Sequence, residues 1–175
     1  MEEYIIERYD LHIIDKEDNT CSCSIEPKVG KAHNNSGRKI YIVKTKANEF
    51  LYIGEAFTKI TTRMQRACTS YNHFVIQKKA KSGYKGYKWL DKEKNTERNL
   101  ILYVATFNSD SDKTRCRIEA IEGELVYLVR TKEEYWPKYQ NEIHFQNIEG
   151  TKEIAEKFFM FIQKPVIYDR QNDSV

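Results

Sequence analysis

A chain of 175 residues, 40% hydrophobic and 31% charged, is long enough to bury an ordinary core and too short for a second large domain. The formal net charge of +3 leaves no whole-molecule basic footprint, so any contact with nucleic acid has to be local. The acidic opening "MEEYIIERYD", the lack of any run of about 18 apolar residues, and four cysteines without framework spacing predict a reducing, cytoplasmic protein with free thiols and neither signal peptide nor membrane span.

Residues 3–14, "EYIIERYDLHII", are rich in β-branched and aromatic types and predict a strand, with helix the alternative over so short a run. The polar stretch 15–38, with its Gly, Pro and Asn, predicts a long surface connection. On this reading 1–38 is an N-terminal extension and the compact unit begins near Arg38. "RKIYIVKT" and "EFLYIG" predict a β-hairpin closed by a turn at "KAN". "TKITTRMQRA" predicts a helix capped by Thr58, with Ile60, Met64 and Ala67 as its buried stripe, and "HFVIQKKAKS" is open to continuing it. A lysine-rich insertion spans 78–98, "LILYVATF" reads as a strand buried on both faces, and "RCRIEAIEGELVYLVR" reads as a second helix. "EEYWPKYQNEIHFQN" is irregular around Pro137, with Trp136 and Tyr139 as anchors. Residues 151–175 supply a closing amphipathic helix, with Ile154, Phe158 and Ile162 on one side, and a tail.

A hairpin turn centred on Ala47 and Asn48 pairs positions summing to about 93 to 95, so Tyr41 lies opposite or diagonal to Tyr52. A cross-strand tyrosine pair is by itself ordinary packing. The second helix adds chemistry: at about 100° per residue, Glu122 falls inside the arc of Ile118, Ile121, Leu125, Val126, Leu128 and Val129, while Glu119 sits at its edge and Glu124 outside. A carboxylate aimed into an apolar face needs a cation, and the candidates are a metal ion or Arg63, just off the stripe of the first helix. A plain buried Glu122–Arg63 ion pair accounts for these spacings equally well.

"KIY" at 39–41, "YIG" at 52–54, an arginine eleven residues beyond Tyr52, a helix bearing an inward glutamate and a later asparagine together resemble the GIY-YIG nuclease superfamily over residues 39–147. The resemblance implies an α/β fold of the α+β type, a small central antiparallel sheet flanked by helices, occupying 39–150. It implies phosphodiester hydrolysis with one divalent ion, Mg²⁺ or Mn²⁺. Tyr41 then matches the candidate general base, Tyr52 the tyrosine that shapes the site, Arg63 the phosphate-binding arginine and Glu122 the metal ligand. The asparagine falls on Asn147 or Asn141, and "EIHFQN" favours Asn147. Lys39 stands where the family usually has glycine, and Ala67 where it often has His or Tyr, so that auxiliary contact is either supplied by Tyr71 or His73 or absent.

The insertion 78–98 has eight Lys or Arg against three Asp or Glu, with three interleaved aromatics. Lysines neutralise phosphates and aromatics stack on bases, so Arg66, Lys78, Lys79, Lys81, Tyr84, Lys85, Tyr87, Lys88 and Trp89 are the expected DNA contacts, with RNA left open. The bland alternative is a solvated loop whose aromatics pack on the domain. Cys21, Cys23 and His33 lack a second pair and read as free groups rather than a zinc site, and His144 reads as a packed histidine. Cutting both strands would take a homodimer or two sequential events. The rival readings are a binding module of the same fold without turnover, and a structural domain in which Glu122 and Arg63 only pair with each other.

Overall fold

A computed structural model describes residues 4–35, 37–81, 86–108, 112–140, 143 and 145–163. In chain order the elements are β1 (Tyr4–Asp15), β2 (Cys21–Glu26), α1 (Lys31–Asn34), β3 (Lys39–Lys44), β4 (Phe50–Ala56), α2 (Ile60–Gln77), a 3-10 turn (Lys88–Leu90), β5 (Asn99–Phe107), α3 (Asp112–Lys132) and α4 (Thr151–Gln163). The fold is α+β: a five-stranded sheet in the order β2-β1-β5-β3-β4, every neighbouring pair antiparallel. Among the described residues none of the helices is long and apolar enough to cross a membrane.

β5 is the central strand and its apolar run is divided between two cores. Leu100, Leu102 and Val104 face α1, α2 and the 3-10 turn, while Tyr103, Ala105 and Phe107 face α3 and α4. This is why "LILYVATF" reads as continuous rather than alternating: both faces are covered, as expected, although the neighbours are antiparallel.

The N-terminal segment differs from expectation. β1 pairs with β5 from Tyr4↔Phe107 to His12↔Asn99, and β2 adds the outer edge, so the sheet begins at Tyr4 and not near Arg38. The stretch 15–38 looked like a connection because β2 is only six residues long and two of its three inward positions are cysteine. Cys21 and Ile25 are its buried residues. Further on, both carboxylate oxygens of Glu7 accept bonds from the Lys31 and Ala32 amides at 2.7 Å, which tethers the short α1 to β1. At α2 the residue before the helix is Lys59, without a side-chain cap, so Thr58 does not take the capping role.

β4 forms the other edge, and the chain after α3 closes it. Lys138 and Tyr139 amides donate to Phe50 and Leu51 carbonyls at 3.0 and 2.9 Å, and the Gln140 side chain accepts from the Ile53 amide at 3.1 Å. Tyr139 is buried and donates its hydroxyl to the Lys94 carbonyl at 2.9 Å, as an anchor should. Trp136 is 47% exposed and does not anchor; the chain turns at the buried Pro137 and leaves the indole outside, with the Arg130 guanidinium 6.0 Å from its ring.

Two lysines lie inside the sheet. Lys39 is fully buried with its ammonium donating to the Gly37 carbonyl at 2.8 Å. Lys44 is 1% exposed, its ammonium 3.9 Å from the Phe50 ring centroid with no hydrogen-bond acceptor among the described residues. Burial lowers the Lys44 pKa to about 8, Glu133 pulling the other way. A lysine depressed in the fold disfavours folding below that value, because the unfolded chain holds the proton more readily. Lys44→Met is therefore expected to stabilise the protein at pH 7 by about 1–2 kcal/mol, the lost cation–π contact offsetting part of the gain. A fall in the urea midpoint for that variant would refute this account.

Candidate active site

The hairpin turn brings the two tyrosines together. The Thr45 amide donates to the Glu49 carbonyl at 2.9 Å and the Asn48 amide to Thr45 at 3.1 Å, with Asn48 at φ 73°, a left-handed position that asparagine tolerates. The resulting register pairs Tyr41 with Gly54 and Val43 with Tyr52 and then shifts, so Leu51 is the extra residue of a β-bulge. Tyr41 and Tyr52 are thus diagonal neighbours, their ring centroids 6.0 Å apart and tilted by 38°. Tyr41 is fully buried and Tyr52 half-buried.

Gly54 explains itself through this pair. A Cβ there would lie 2.7 Å from Tyr52 Cε1 and 2.8 Å from the Tyr41 hydroxyl oxygen. The glycine is needed for room and not for backbone freedom. Gly54→Ala is expected to push the rings apart and cost about 1–3 kcal/mol of stability. Unchanged stability together with unchanged tyrosine fluorescence would refute it.

Arg63 comes from the first turn of α2, on the same side as the tyrosines. Its guanidinium carbon lies 5.4 Å from the Tyr41 ring centroid, within cation–π range. Glu122 comes from α3, on the other side of the sheet. Glu55, the residue after Gly54, points that way too, because alternation along β4 turns it from the tyrosines. β4 is an edge strand, and the two sets of groups meet around it: the Arg63 charge acts on both Glu122 and Glu55.

The acidic side is crowded. Protein atoms enclose the Glu122 carboxyl although the residue keeps some surface, and burial, then the charges of Glu55 and Glu119, push its pKa up to about 8 against the pull of Arg63. Glu55 is raised for the same reasons, burial first and Glu119 second, with Arg38, Arg115 and Arg63 opposing. One Glu55 oxygen, Oε2, is buried without a hydrogen-bond donor, the Arg38 Nη1 standing 4.0 Å away. Glu119 is held by Arg115 at 3.0 Å and by the Gln146 amide at 3.5 Å. Among the described residues no three His, Cys, Asp or Glu side chains form a group that could hold a metal ion.

Tyr41, Tyr52 and Arg63 therefore meet on one side of the sheet, and Glu122 on the other is linked to them through the charge of Arg63, while Asn147 is exposed and the amide that reaches the acidic group is Gln146, one residue earlier. Asn141 and His144 lie outside the described residues. Tyr71 is buried against Tyr87, ring centroids 6.2 Å apart, and belongs to the core. Glu55 was missed by sequence reasoning, though its place directly after "YIG" and the strand alternation were the available signal.

Of the expected DNA contacts, Arg66 on α2 and Lys78, Lys79 and Lys81 just beyond it are exposed, and Lys88 is half-buried. Tyr84 and Lys85 lie outside the described residues. Tyr87 and Trp89 are a correction: they are 5% and 0% exposed, not surface rings awaiting bases. Trp89 donates its Nε1 hydrogen to the Gly86 carbonyl at 3.0 Å, and Tyr87 packs on Tyr71 and Phe74. A large ring whose one donor is satisfied by a nearby carbonyl gains more from the core than from water. No family model, curated protein or solved structure matches the chain.

Proposed function

We propose that the sheet and its helices are those of the GIY-YIG nuclease superfamily and that the chain is a metal-dependent endonuclease acting on DNA. The observation that supports this above others is the position of Arg63, over the Tyr41 ring and electrically coupled to Glu122 across the sheet edge. A cation stands over a tyrosine pair packed on a glycine and its charge reaches a carboxyl on the other side of the sheet, which simple core packing does not require.

The donor set suits a hard cation. Glu122 is an enclosed carboxyl kept from ionising by its surroundings, and Glu55 has a buried oxygen without a donor. One or two carboxylates with water in the remaining positions is a set that Mg²⁺ accepts. Bound there, Mg²⁺ or Mn²⁺ would offset charge building on the phosphoryl oxygens. Arg63 binds the scissile phosphate, Tyr41 takes the proton from the attacking water, and Tyr52 holds the Tyr41 ring in place. Arg66, Lys78, Lys79 and Lys81 track the flanking backbone.

The test is nicking of supercoiled plasmid with Mg²⁺ or Mn²⁺ by the wild type, Glu122→Ala and Arg63→Ala, each checked for folding. Metal-dependent nicking that drops at least about 100-fold in both variants is the expected result. Nicking that persists in Glu122→Ala would sink the assignment. The burial of Tyr41 favours a second reading, a DNA-binding module without turnover. That protein would bind DNA with steep salt dependence and yield no product.

A further inference from the structure

Three of the four cysteines meet at the far side of the sheet from β4. Cys21 and Cys23 are two apart on β2 and share its α2-facing side, while Cys68 belongs to the buried stripe of α2. The helix is locked over this strand by Asn72, one turn beyond Cys68. Its side chain accepts from the Cys21 amide at 2.8 Å and donates to the Cys21 carbonyl at 2.9 Å. That clamp holds the Cys68 thiol within hydrogen-bond reach of both Cys21 and Cys23.

The three differ in access. Cys21 and Cys68 are buried, 1% and 4% exposed, whereas Cys23 is half-buried and lines a cavity of about 210 Å³. Lys28, His33, Thr61 and Gln65 line the same cavity, so a small polar molecule entering it meets cationic and hydrogen-bonding groups beside one sulfur. The Cys68 hydrogen bond favours the Cys23 thiolate and outweighs burial. Cys68 itself is driven the other way, towards the protonated thiol, by its bonds to Cys21 and Cys23. A thiol biased towards ionisation and reached through a polar cavity, backed by a thiol biased the other way, is the arrangement of a reacting and a resolving cysteine.

We propose that Cys23 is a modification site for hydrogen peroxide, with Cys68 as the thiol that resolves it to a reversible disulfide. The Cys23 thiolate attacks the peroxide oxygen, the O–O bond breaks, and the departing hydroxide takes up a proton as water. Cys23 is then a sulfenic acid. Cys68 attacks that sulfur, the S–O bond breaks, the S–S bond forms, and the hydroxyl leaves with the Cys68 proton as a second water. Two thiols are oxidised and one peroxide is reduced. The bond would tie β2 to the helix that carries Arg63, beside the contact that Asn72 already makes with Cys21.

The test treats the full chain with hydrogen peroxide and maps the peptides. The expected product is about 2 Da lighter, contains a Cys23–Cys68 linked pair and returns to the starting mass with dithiothreitol. Exposed Cys116 is an internal comparison and should react at least about tenfold more slowly. Cys68→Ser should stop at a sulfenic acid on Cys23 that dimedone traps, and should that variant fail to fold, the wild-type map alone decides. A Cys21–Cys68 link with Cys23 still reduced, or oxidation of Cys116 first, would overturn the proposal.

Discussion

Replacing Glu122 by glutamine is expected to abolish a large pH dependence of this protein's stability. The Glu122 carboxyl is held near pH 8 in the fold, burial being the first cause, against about 4.3 in an unfolded chain. Between those values the native state keeps a proton that the unfolded state has released, so this group's contribution is fully present below about pH 4.3 and is lost as the pH rises to about 8. With some solvent reaching the residue, the loss amounts to about 3–4 kcal/mol. Glutamine keeps the shape and cannot ionise, so the variant should exceed the wild type by only about 1 kcal/mol at pH 5 and by about that full margin at pH 8.5. Urea unfolding at the two pH values measures this; equal wild-type and variant slopes would refute the buried, crowded carboxyl.

The same measurement bears on the metal without reading activity. A divalent cation that binds the ionised carboxylate releases its proton, so Mg²⁺ should stabilise the wild type more at pH 8.5 than at pH 6 and leave Glu122→Gln unmoved. If Glu122 instead serves only as a partner of Arg63, Mg²⁺ changes neither curve, and the rival structural reading gains.

Trp89→Ala is expected to cost about 3–5 kcal/mol of folding stability and nothing in DNA affinity per folded molecule. The indole is fully buried, its nitrogen bonded to Gly86, and the carbonyl of Trp89 accepts from the Asn95 side chain at 2.9 Å. Truncation leaves a cavity between α2 and the sheet where the insertion is pinned. A base-stacking tryptophan would behave oppositely, losing DNA affinity at nearly constant stability. The contrast with Lys78→Ala and Lys79→Ala sharpens the test: these exposed lysines should leave stability within about 0.5 kcal/mol. If they touch phosphates, each should reduce the salt slope of DNA binding by about one.

Much of this molecule was legible from local pattern. The β3–β4 hairpin, the helical stripe of Ile60, Met64 and Ala67, the two-faced burial of β5 and the inward aim of Glu122 all follow from periods of 2 and 3.6 read along a few residues. The proximity of Tyr41 to Tyr52 followed from the turn, because hairpin register is set within the hairpin. What tertiary structure alone decided was long-range. β1 joins β5 across more than 80 residues, and nothing local in "EYIIERYDLHII" names its partner. The short β2 is a strand because β1 and α2 lie against it, not because Cys-Ser-Cys-Ser prefers the conformation. Tyr87 and Trp89 left the surface for the core because α2 and Tyr71 offered apolar contact that composition does not reveal. The approach of Glu55 to Glu122 likewise depends on how α3 lies on β4, whereas Glu119 is a neighbour one turn away on the same helix, so this pKa sums charges from the chain and from the fold.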